Sequence, residues 1–305
     1  MELRLGSRGS RLALRQSERV ALRLRALGHR VEVVTISTEG DRHSRPSITV
    51  PDGEAPEEGM FVSALERALL EGGVDLAVHS AKDVPLRPRP DLVLAAIPER
   101  ADPRDALVTA EGGACLRTLA PEASFGTDSP RRVGFVRSWR PDLRHRPLRG
   151  NVDSRLRRLS AGEVDALVVA AAGLDRLGLG GRIDQRLDPG VVPPAPAQGA
   201  LAVQCRADDR RVLEAVAALD DPALRLAVTT ERLVLEATGG TCHAPVGALA
   251  GVGQGRLWLV AGAATADGGQ RHVVRLEAGP REAEARRLAA QAGKELMEKV
   301  VSHVA

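Results

Sequence analysis

The chain has 305 residues, of which 43% are hydrophobic and 27% are charged, and its formal net charge is +3. This length accommodates two or three domains, each with its own core. The apolar runs are far shorter than the ~20 residues that a membrane-spanning helix requires, so no membrane partner is expected. A net charge this small does not favour a general nucleic-acid binder.

The cysteines and the basic residues narrow the choice of protein class further. Cys115, Cys205 and Cys242 form no close pair and no CxxC motif, which argues against a disulfide framework and against a metal site. Lysine accounts for only three of the 43 basic residues. This arginine excess is compatible with coding bias, with a thermophilic source, or with guanidinium groups that bind carboxylates or phosphates in a bidentate manner.

The first predicted elements form a βαβ unit. A strand at 3–5 leads through a turn at 6–10 into a helix at 12–27, whose apolar residues recur on one face. The β-branched run at 31–37 predicts a second strand. Because the charged first residues lead directly into a strand, they leave no room for a signal peptide, and a cytoplasmic protein is expected.

A long polar stretch interrupts this pattern. Residues 38–59 are rich in Gly, Pro and Glu, and their length predicts a mobile lid, with Phe61 just after it. A helix at 61–71 and a buried strand at 75–79 follow. That strand places His79-Ser-Ala-Lys-Asp83 at its carboxyl end, where open α/β sheets bind their ligands.

A second α/β unit is predicted after a strand at 92–97 and a proline-bearing link at 98–104. Ser129 and Pro130 are typical of the N-cap and the first residue of a helix, and Asn151 is a further N-cap candidate. The predicted elements of this unit are strands at 123–126, 146–149 and 165–171, helices at 130–139 and 151–159, and a short helix that ends at 177–181.

The remaining segments complete a three-domain prediction. Residues 191–200 form a second proline-rich crossing, and the strand at 201–205 has no helix partner in the second unit, so we expect it to return to the first sheet. Two crossings predict a hinged clamshell with a cleft between two α/β lobes. The last part is predicted as a small α+β domain, with helices at 210–219, 222–237 and 282–303 and antiparallel strands at 246–252, 256–261 and 272–277. The predicted domains are 1–98 with 199–218, then 99–198, then 219–305.

Arginines recur where the predicted strands end. Helix starts at Ser10, Ser129 and Asn151 would add unpaired backbone N–H groups and the positive end of the helix dipole. First-turn arginines are commonly just solvated, but the tandem pair Arg131 and Arg132 favours anion binding. The pattern predicts a ligand with several negative charges. The arginines concerned are Arg8, Arg131, Arg132, Arg149, Arg155 and Arg176.

Two other residues are candidates for chemistry. An ionised Asp83 would suit a group that moves a proton or balances a transient cation, although a helix cap or a salt bridge to Lys82 explains the same spacing. Cys242 lies in a glycine-rich bend and is either a small buried side chain or a reactive group that serves attachment or catalysis. His79 is interpreted as a buried structural histidine. No Ser-His-Asp order, P-loop or dinucleotide-binding motif is present.

Taken together, these residues resemble the porphobilinogen deaminase (hydroxymethylbilane synthase) family nearly from end to end. Three of the matching stretches are Gly-Ser-Arg-Gly-Ser at 6–10, His-Ser-Ala-Lys-Asp-Val-Pro at 79–85 and Gly-Gly-Thr-Cys at 239–242. The others lie at 102–106, 126–132, 148–155, 197–200 and 231–232. The resemblance implies two lobes like those of periplasmic binding proteins, plus a small α+β C-terminal domain.

The resemblance also implies a reaction and a cofactor. Members of this family are transferases that add four porphobilinogen units in turn to a dipyrromethane cofactor, with loss of ammonia, and then release hydroxymethylbilane by hydrolysis. The cofactor would be attached through Cys242, and Asp83 would be the catalytic aspartate. Each pyrrole carries two carboxylates, so a growing chain needs many guanidinium groups. The six arginines above match the family's carboxylate-binding positions, and Ser10, Ser80, Lys82, Thr127, Ser129, Asn151 and Gln198 match positions near the cofactor.

Some positions depart from the family pattern. The stretch before Phe61 carries Glu57 and Glu58, so a lysine contact from that segment is not implied. Asp128 stands where serine is more usual, and His243 where glutamine is. The second hypothesis is a solute-binding or sensor protein that holds a di-acid without reacting, but it leaves the third domain and its cysteine without a role. We expect a monomer whose partner is the small-molecule substrate porphobilinogen.

Overall fold

The computed structural model describes residues 1–37, 62–87, 89–240 and 245–300. The chain divides into two compact units, one formed by Met1–Arg100 with Ala200–Arg225 and the other by Ala101–Gly199 with Leu226–Ala305. The predicted lid at 38–59, Phe61 and Cys242 lie outside the described residues. Among those that are described, no helix is both long and apolar enough to cross a membrane.

The first unit is built on a five-stranded mixed sheet. Its strand order is β2-β1-β3-β10-β4, with β1 parallel to β2 and β3 and β10 antiparallel to β3 and β4. The prediction that the chain returns to this sheet after the second crossing is therefore confirmed. Its elements are β1 (Glu2–Arg8), α1 (Arg11–Ala26), β2 (Arg30–Ile36), α2 (Ser63–Leu70), β3 (Leu76–Ser80), β4 (Leu92–Ala96), β10 (Leu201–Arg206) and α6 (Arg210–Ala217).

The core of this unit explains why these segments adopt regular structure. Leu5 and Leu76 from the sheet pack with Val20 and Leu24 from α1, and all four are buried. The apolar residues of α1 recur at helical spacing, so one face of the helix covers the sheet. Gly28 just beyond α1 has a φ of 87°, which is the left-handed conformation typical of a residue that ends a helix.

The second unit holds another five-stranded mixed sheet, with the order β7-β6-β8-β5-β9. β6 is parallel to β7 and β8, whereas β5 is antiparallel to β8 and β9. Phe125 and Phe135 are fully buried at its core. Its elements are β5 (Asp105–Thr109), β6 (Ser124–Gly126), α3 (Pro130–Trp139), β7 (Arg144–Arg146), α4 (Val152–Ser160), β8 (Ala166–Ala170), α5 (Ala171–Arg176) and β9 (Gln185–Arg186).

The same unit also contains a three-stranded antiparallel sheet, which confirms the predicted α+β part. The strand order is β11-β12-β13, and α8 packs on it through buried residues such as Leu288 and Leu296. The elements are α7 (Pro222–Ala237), β11 (Val246–Gly253), β12 (Arg256–Ala264), β13 (Arg271–Ala278) and α8 (Glu282–Lys299).

One sequence prediction in the second unit was wrong, and the strands β5 and β9 were missed. The strand expected at 146–149 lies at Arg144–Arg146, because Pro147 cannot donate a hydrogen bond to the ladder. The strand β5 was not predicted at all. It is a five-residue strand in which every residue is buried, and such a short run has no alternation to reveal it.

Gly247 allows β11 to pack closely against the proline-rich segment. A Cβ atom at this position would lie 2.3 Å from the carbonyl oxygen of Pro193, a contact that requires the backbone to move. We expect Gly247→Ala to lower the free energy of unfolding by about 1–3 kcal/mol. Gly253→Ala is the matched control on the same strand, since its Cβ would meet nothing within 4 Å. Equal unfolding midpoints of the two variants in urea would contradict this packing account.

Candidate active site

In the first unit, the predicted site residues gather at one edge of the sheet. β1 and β3 are parallel, so Arg8 at the end of β1 and Ser80 at the end of β3 lie at the same edge. Lys82 and Asp83 belong to a 3-10 turn, Ala81–Asp83, directly after β3. Asp83 is exposed and Lys82 is half-buried. The structure thus presents a carboxylate and an ammonium group on a short rigid turn.

Hydrogen bonds fix the backbone at this edge. Ser10 is the N-cap of α1, and its hydroxyl accepts a hydrogen bond from the amide of Ala13 at 3.3 Å. The buried amide of Gln16 donates to Oγ of Ser80 at 2.9 Å, which joins α1 to the end of β3. The amide of Ala81 donates to the carbonyl of Ala200 at 3.0 Å. The turn that carries Asp83 is therefore anchored to two neighbouring segments.

His79 is a structural residue, as the sequence predicted. It is buried, and its Nε2 donates to Oε1 of Gln204 at 2.9 Å, while the Gln204 amide donates to Glu66 at 3.0 Å. Burial and, to a smaller extent, the nearby positive charge of Arg8 outweigh the hydrogen bond to Gln204 and lower the pKa of His79 to about 4. A neutral imidazole therefore lies under this edge of the sheet at pH 7.

In the second unit, the predicted residues follow the carboxyl ends of the parallel strands β6, β7 and β8. Thr127 and Ser129 come directly after β6, and Ser129 is the N-cap of α3, with Pro130 as its first residue. The Ser129 hydroxyl makes no capping hydrogen bond, but its amide donates to Oγ1 of the buried Thr127 at 3.3 Å. The expected helix start is confirmed, although the cap is formed differently.

Arg131 and Arg132 are buried rather than solvated, with only 3% and 6% of their surface exposed. Both contact the fully buried carboxylate of Asp105. Arg131 Nη1 donates to Oδ2 at 2.7 Å, and Arg132 donates to Oδ1 through Nε at 3.0 Å and Nη2 at 2.8 Å. The Gln198 amide also donates to Oδ1 at 2.8 Å. We call these four residues the Asp105 cluster.

The Asp105 cluster carries two positive charges and one negative charge in surroundings without much solvent. Burial alone would raise the pKa of Asp105, but the two guanidinium groups outweigh it and hold that pKa well below its usual range. Burial lowers the pKa of Arg131, against the attraction of Asp105. Because a depressed carboxyl pKa stabilises the fold above the unfolded-state value, this stabilisation is present at neutral pH and lost only in strong acid.

Three further predicted residues lie around the start of α4. Asn151 is the N-cap, and its Oδ1 accepts from the amide of Ser154 at 2.9 Å. Arg149 is exposed and forms an ion pair with Asp128 at 3.2 Å. Arg155 donates from Nε to the carbonyl of Gly150 at 2.8 Å. Burial, together with the positive charge of Arg132, lowers the pKa of Arg155 to about 10.

Arg176 contacts the proline-rich segment at the residue that follows Gln198. Arg176 Nη2 donates to the carbonyl of Gly199 at 2.7 Å. Gln198 lies between Ala197 and Gly199, which have φ values of 65° and 85°, so a strained turn presents it to the Asp105 cluster. Left-handed backbone at a non-glycine residue persists only where the surroundings hold it in place.

Glu231, a buried residue of α7, holds the left-handed turn at Ala197 in place. Its Oε2 accepts from the amide of Ala197 at 2.6 Å, and its Oε1 accepts from the amide of Ala250 at 2.7 Å. Sequence reasoning did not assign a role to Asp105 or to Glu231, although both lie in stretches that carried the family resemblance. The sequence did contain a signal: Asp105 lies in a buried strand and Glu231 on an apolar helix face. A buried carboxylate in such a place requires a hydrogen-bonding or charged partner.

The bend that contains Cys242 is bounded by described residues on both sides. α7 ends at Ala237, Gly239 has a φ of 61°, and β11 begins at Val246. The helix-to-strand setting predicted for this bend is confirmed at its two ends. Of the other cysteines, Cys205 is buried and burial raises its pKa to about 11, so it is a core residue. Cys115 is only partly exposed, and its Sγ accepts from Oγ1 of Thr118 at 3.4 Å.

At the carboxyl ends of parallel strands, both units carry arginine and hydroxyl side chains, which are the donor groups that a ligand with several carboxylates would require. The chain matches the family model described as "Porphobilinogen deaminase, dipyromethane cofactor binding domain" over residues 3–214. It matches "Porphobilinogen deaminase, C-terminal domain" over residues 225–299.

Named relatives agree with the family models. The porphobilinogen deaminase of Acidothermus cellulolyticus is 54% identical over 252 residues, which cover 81% of this chain and 74% of the relative. That of Roseiflexus sp. is 50% identical over 249 residues, covering 81% and 80%. Among solved structures, the lipoprotein Tp32 of Treponema pallidum is 12% identical with a TM-score of 0.45, covering 72% of this chain and 90% of that one.

The chain belongs to the porphobilinogen deaminase family. It is a transferase that condenses porphobilinogen in tetrapyrrole biosynthesis and uses a dipyrromethane cofactor. The function predicted from the resemblance is therefore confirmed, and the hypothesis of a solute-binding protein that does not react is not.

Removal of the Asp105 charge should destabilise the second unit. In Asp105→Asn, two buried guanidinium groups lose their only carboxylate within the cluster, and we expect the free energy of unfolding to fall by about 3 kcal/mol or more. Glu122→Gln is the control, since it breaks the exposed ion pair between Glu122 and Arg144 and should change stability by about 0.5 kcal/mol or less. Urea unfolding measures both variants, and equal losses would refute the special role of the cluster.

Proposed function

We propose that the second unit binds the carboxylates of the dipyrromethane cofactor and of the growing pyrrole chain. The observation that carries this proposal is the buried Asp105 cluster, in which two guanidinium groups share one carboxylate and keep a net positive charge. A buried excess charge is costly unless an opposite charge compensates it. A ligand carboxylate near Arg132 and Arg155 would supply that compensation.

The residues present suit the cofactor by their donor chemistry. Arginine side chains bind carboxylates through two parallel N–H groups, and the helix starts at Ser129 and Asn151 add backbone N–H donors and a favourable dipole. Arg131, Arg132, Arg149, Arg155 and Arg176 would hold carboxylates in the second unit, with Thr127, Ser129, Asn151 and Gln198 as polar neighbours. When bound, the cofactor supplies the pyrrole to which the first substrate is joined.

Asp83 is proposed as the catalytic residue. Its exposed carboxylate lies on an anchored turn, so it can face a transient cation without the entropy cost of ordering a flexible loop. Loss of ammonia from porphobilinogen leaves such a cation, which a carboxylate stabilises, and the same group can accept the proton released when two pyrroles are joined. Arg8, Ser10, Ser80 and Lys82 surround this turn and would orient substrate carboxylates.

Attachment of the cofactor is assigned to Cys242. Cys205 is buried in the core. Cys115 follows β5, whose last residue Thr109 pairs with Ala166, so the chain leaves the sheet there at the end opposite to Asp105, which pairs with Ala170. Cys242 follows α7, the helix whose Glu231 positions the turn that carries Gln198. This link would connect the attachment site to the Asp105 cluster within one compact unit.

Further parts of the proposal concern the whole chain. We propose three domains with the boundaries predicted from the sequence, a cytoplasmic location and a monomeric state. Three cysteines without a close pair are typical of a reducing compartment. Light scattering on the purified protein tests the monomer directly.

Replacement of Cys242 should abolish the covalent cofactor. The Cys242→Ser chain lacks the thiol, so its intact mass under denaturing conditions should equal the sequence mass. Cys115→Ser is the control and should keep the additional mass of a dipyrromethane. A Cys242→Ser chain that still carried the group would overturn the assignment.

Replacement of Asp83 should slow the reaction while leaving the cofactor in place. Asp83→Asn keeps the size of the side chain but removes its charge, and we expect kcat to fall by about 100-fold or more. Asp91→Asn is the control, since Asp91 is an exposed residue of the same unit. The assignment fails if Asp83→Asn with a full complement of cofactor turns over at the rate of the control.

A further inference from the structure

Asp128 forms an ion pair with one of the proposed carboxylate-binding residues. Its Oδ2 lies 3.2 Å from Nε of Arg149, and the side chains of Arg149 and Asp128 are 54% and 31% exposed. An internal carboxylate therefore already occupies the guanidinium group to which we assign a ligand carboxylate. Both partners remain accessible to a ligand from solvent.

The backbone holds this pair together. The amide of Thr127 donates to the carbonyl of Arg146 at 3.3 Å, and the amide of Leu148 donates to the carbonyl of Thr127 at 3.4 Å. His145 adds a third contact, from Nε2 to the carbonyl of Thr127, at 2.9 Å. The segment before Arg149 is thus joined to the residue before Asp128. The pairing follows from the register of two neighbouring segments and not from the chance meeting of two long side chains.

The charge of Asp128 also acts on a second arginine. It raises the pKa of Arg155, against the larger effect of burial and the opposing charge of Arg132. Asp105, by contrast, is fully buried and already shared by Arg131 and Arg132. Asp128 is therefore an accessible negative charge that acts on both Arg149 and Arg155.

We propose that Asp128 is an internal competitor for substrate carboxylates, and that it sets how tightly this chain binds porphobilinogen. The inference rests on the proposed role of Arg149. In the absence of ligand, Arg149 donates to Asp128. A ligand carboxylate takes over these N–H groups, Asp128 turns to solvent, and one ion pair is exchanged for another with no change in the number of charges.

The exchange weakens binding in a graded way. Exposed ion pairs contribute little to stability, so removal of the competitor should lower KM by up to about five-fold and not by orders of magnitude. It should act on KM more than on kcat, because the proposed chemistry is carried by Asp83. With the competitor gone, one more positive charge faces the ligand, so KM should also rise more steeply with salt.

The test compares Asp128→Asn with the wild-type holoenzyme and with a matched control. Glu163→Gln breaks an exposed ion pair of the same unit, in which Nε of Arg158 lies 2.7 Å from Oε2 of Glu163. Initial rates with porphobilinogen at low and high salt give KM and kcat. We expect a KM about two- to five-fold lower for Asp128→Asn at low salt, and an unchanged KM for Glu163→Gln.

Arg149→Gln separates this inference from the function on which it rests. If Arg149 binds a substrate carboxylate, Arg149→Gln raises KM, and adding Asp128→Asn to that variant lowers KM by less than it does in the wild type, since only its effect through Arg155 remains. A raised KM in Arg149→Gln together with an unchanged or higher KM in Asp128→Asn would overturn the competitor role alone. An unchanged KM in Arg149→Gln would overturn the proposed role of Arg149 and the inference with it.

Discussion

The structure of the second unit depends on one buried carboxylate. Asp105 begins β5, next to the end of β8, and it accepts hydrogen bonds from Arg131, Arg132 and Gln198. A buried guanidinium group without a carboxylate would cost several kcal/mol. The start of α3 and the turn after the proline-rich segment are therefore both fixed by this charge, and each brings a proposed binding residue to the same place.

The charge balance of the cluster explains how an interior ionic network can serve a binding site. A carboxylate paired with a single arginine would have no net charge and would not attract an anion. Here one carboxylate faces two arginines, and Arg155 adds a further positive charge whose pKa is lowered by Arg132. The excess is held in place by the fold, so the ligand carboxylate that we propose would meet donors that are already oriented. In the first unit the carboxylate is exposed instead of buried, since the edge of its sheet combines Arg8 and Lys82 with the exposed side chain of Asp83.

Much of the architecture was readable from the sequence because it depends on local patterns. The period of α1, the N-cap at Asn151 and the strand after the second crossing are set by residues close together in the chain. β5 was not readable, since it is a short strand whose pairing is decided by distant segments, whereas the place of β7 was misjudged although Pro147 is visible in the sequence. A proline position shifted β7, and tertiary burial alone defines β5.

The candidate site shows the same division. Arg131 and Arg132 were predicted from their place at a helix start, but their burial and their shared partner were not. Asp105 lies 26 residues before Arg131 in the chain, and no spacing rule connects the two. Glu231 lies 34 residues after Ala197 and was equally hidden. Sequence patterns identify the residues that we propose to bind ligands more readily than the residues that hold them in position.

The central claim is that this chain elongates a primer that it carries covalently and holds through its arginines. The most direct test is the intact mass of the holoenzyme under denaturing conditions, measured after brief mixing with porphobilinogen. The account predicts a ladder of species above the holoenzyme mass, each separated from the next by one pyrrole unit. A chain that consumed porphobilinogen while its own mass stayed constant would contradict it.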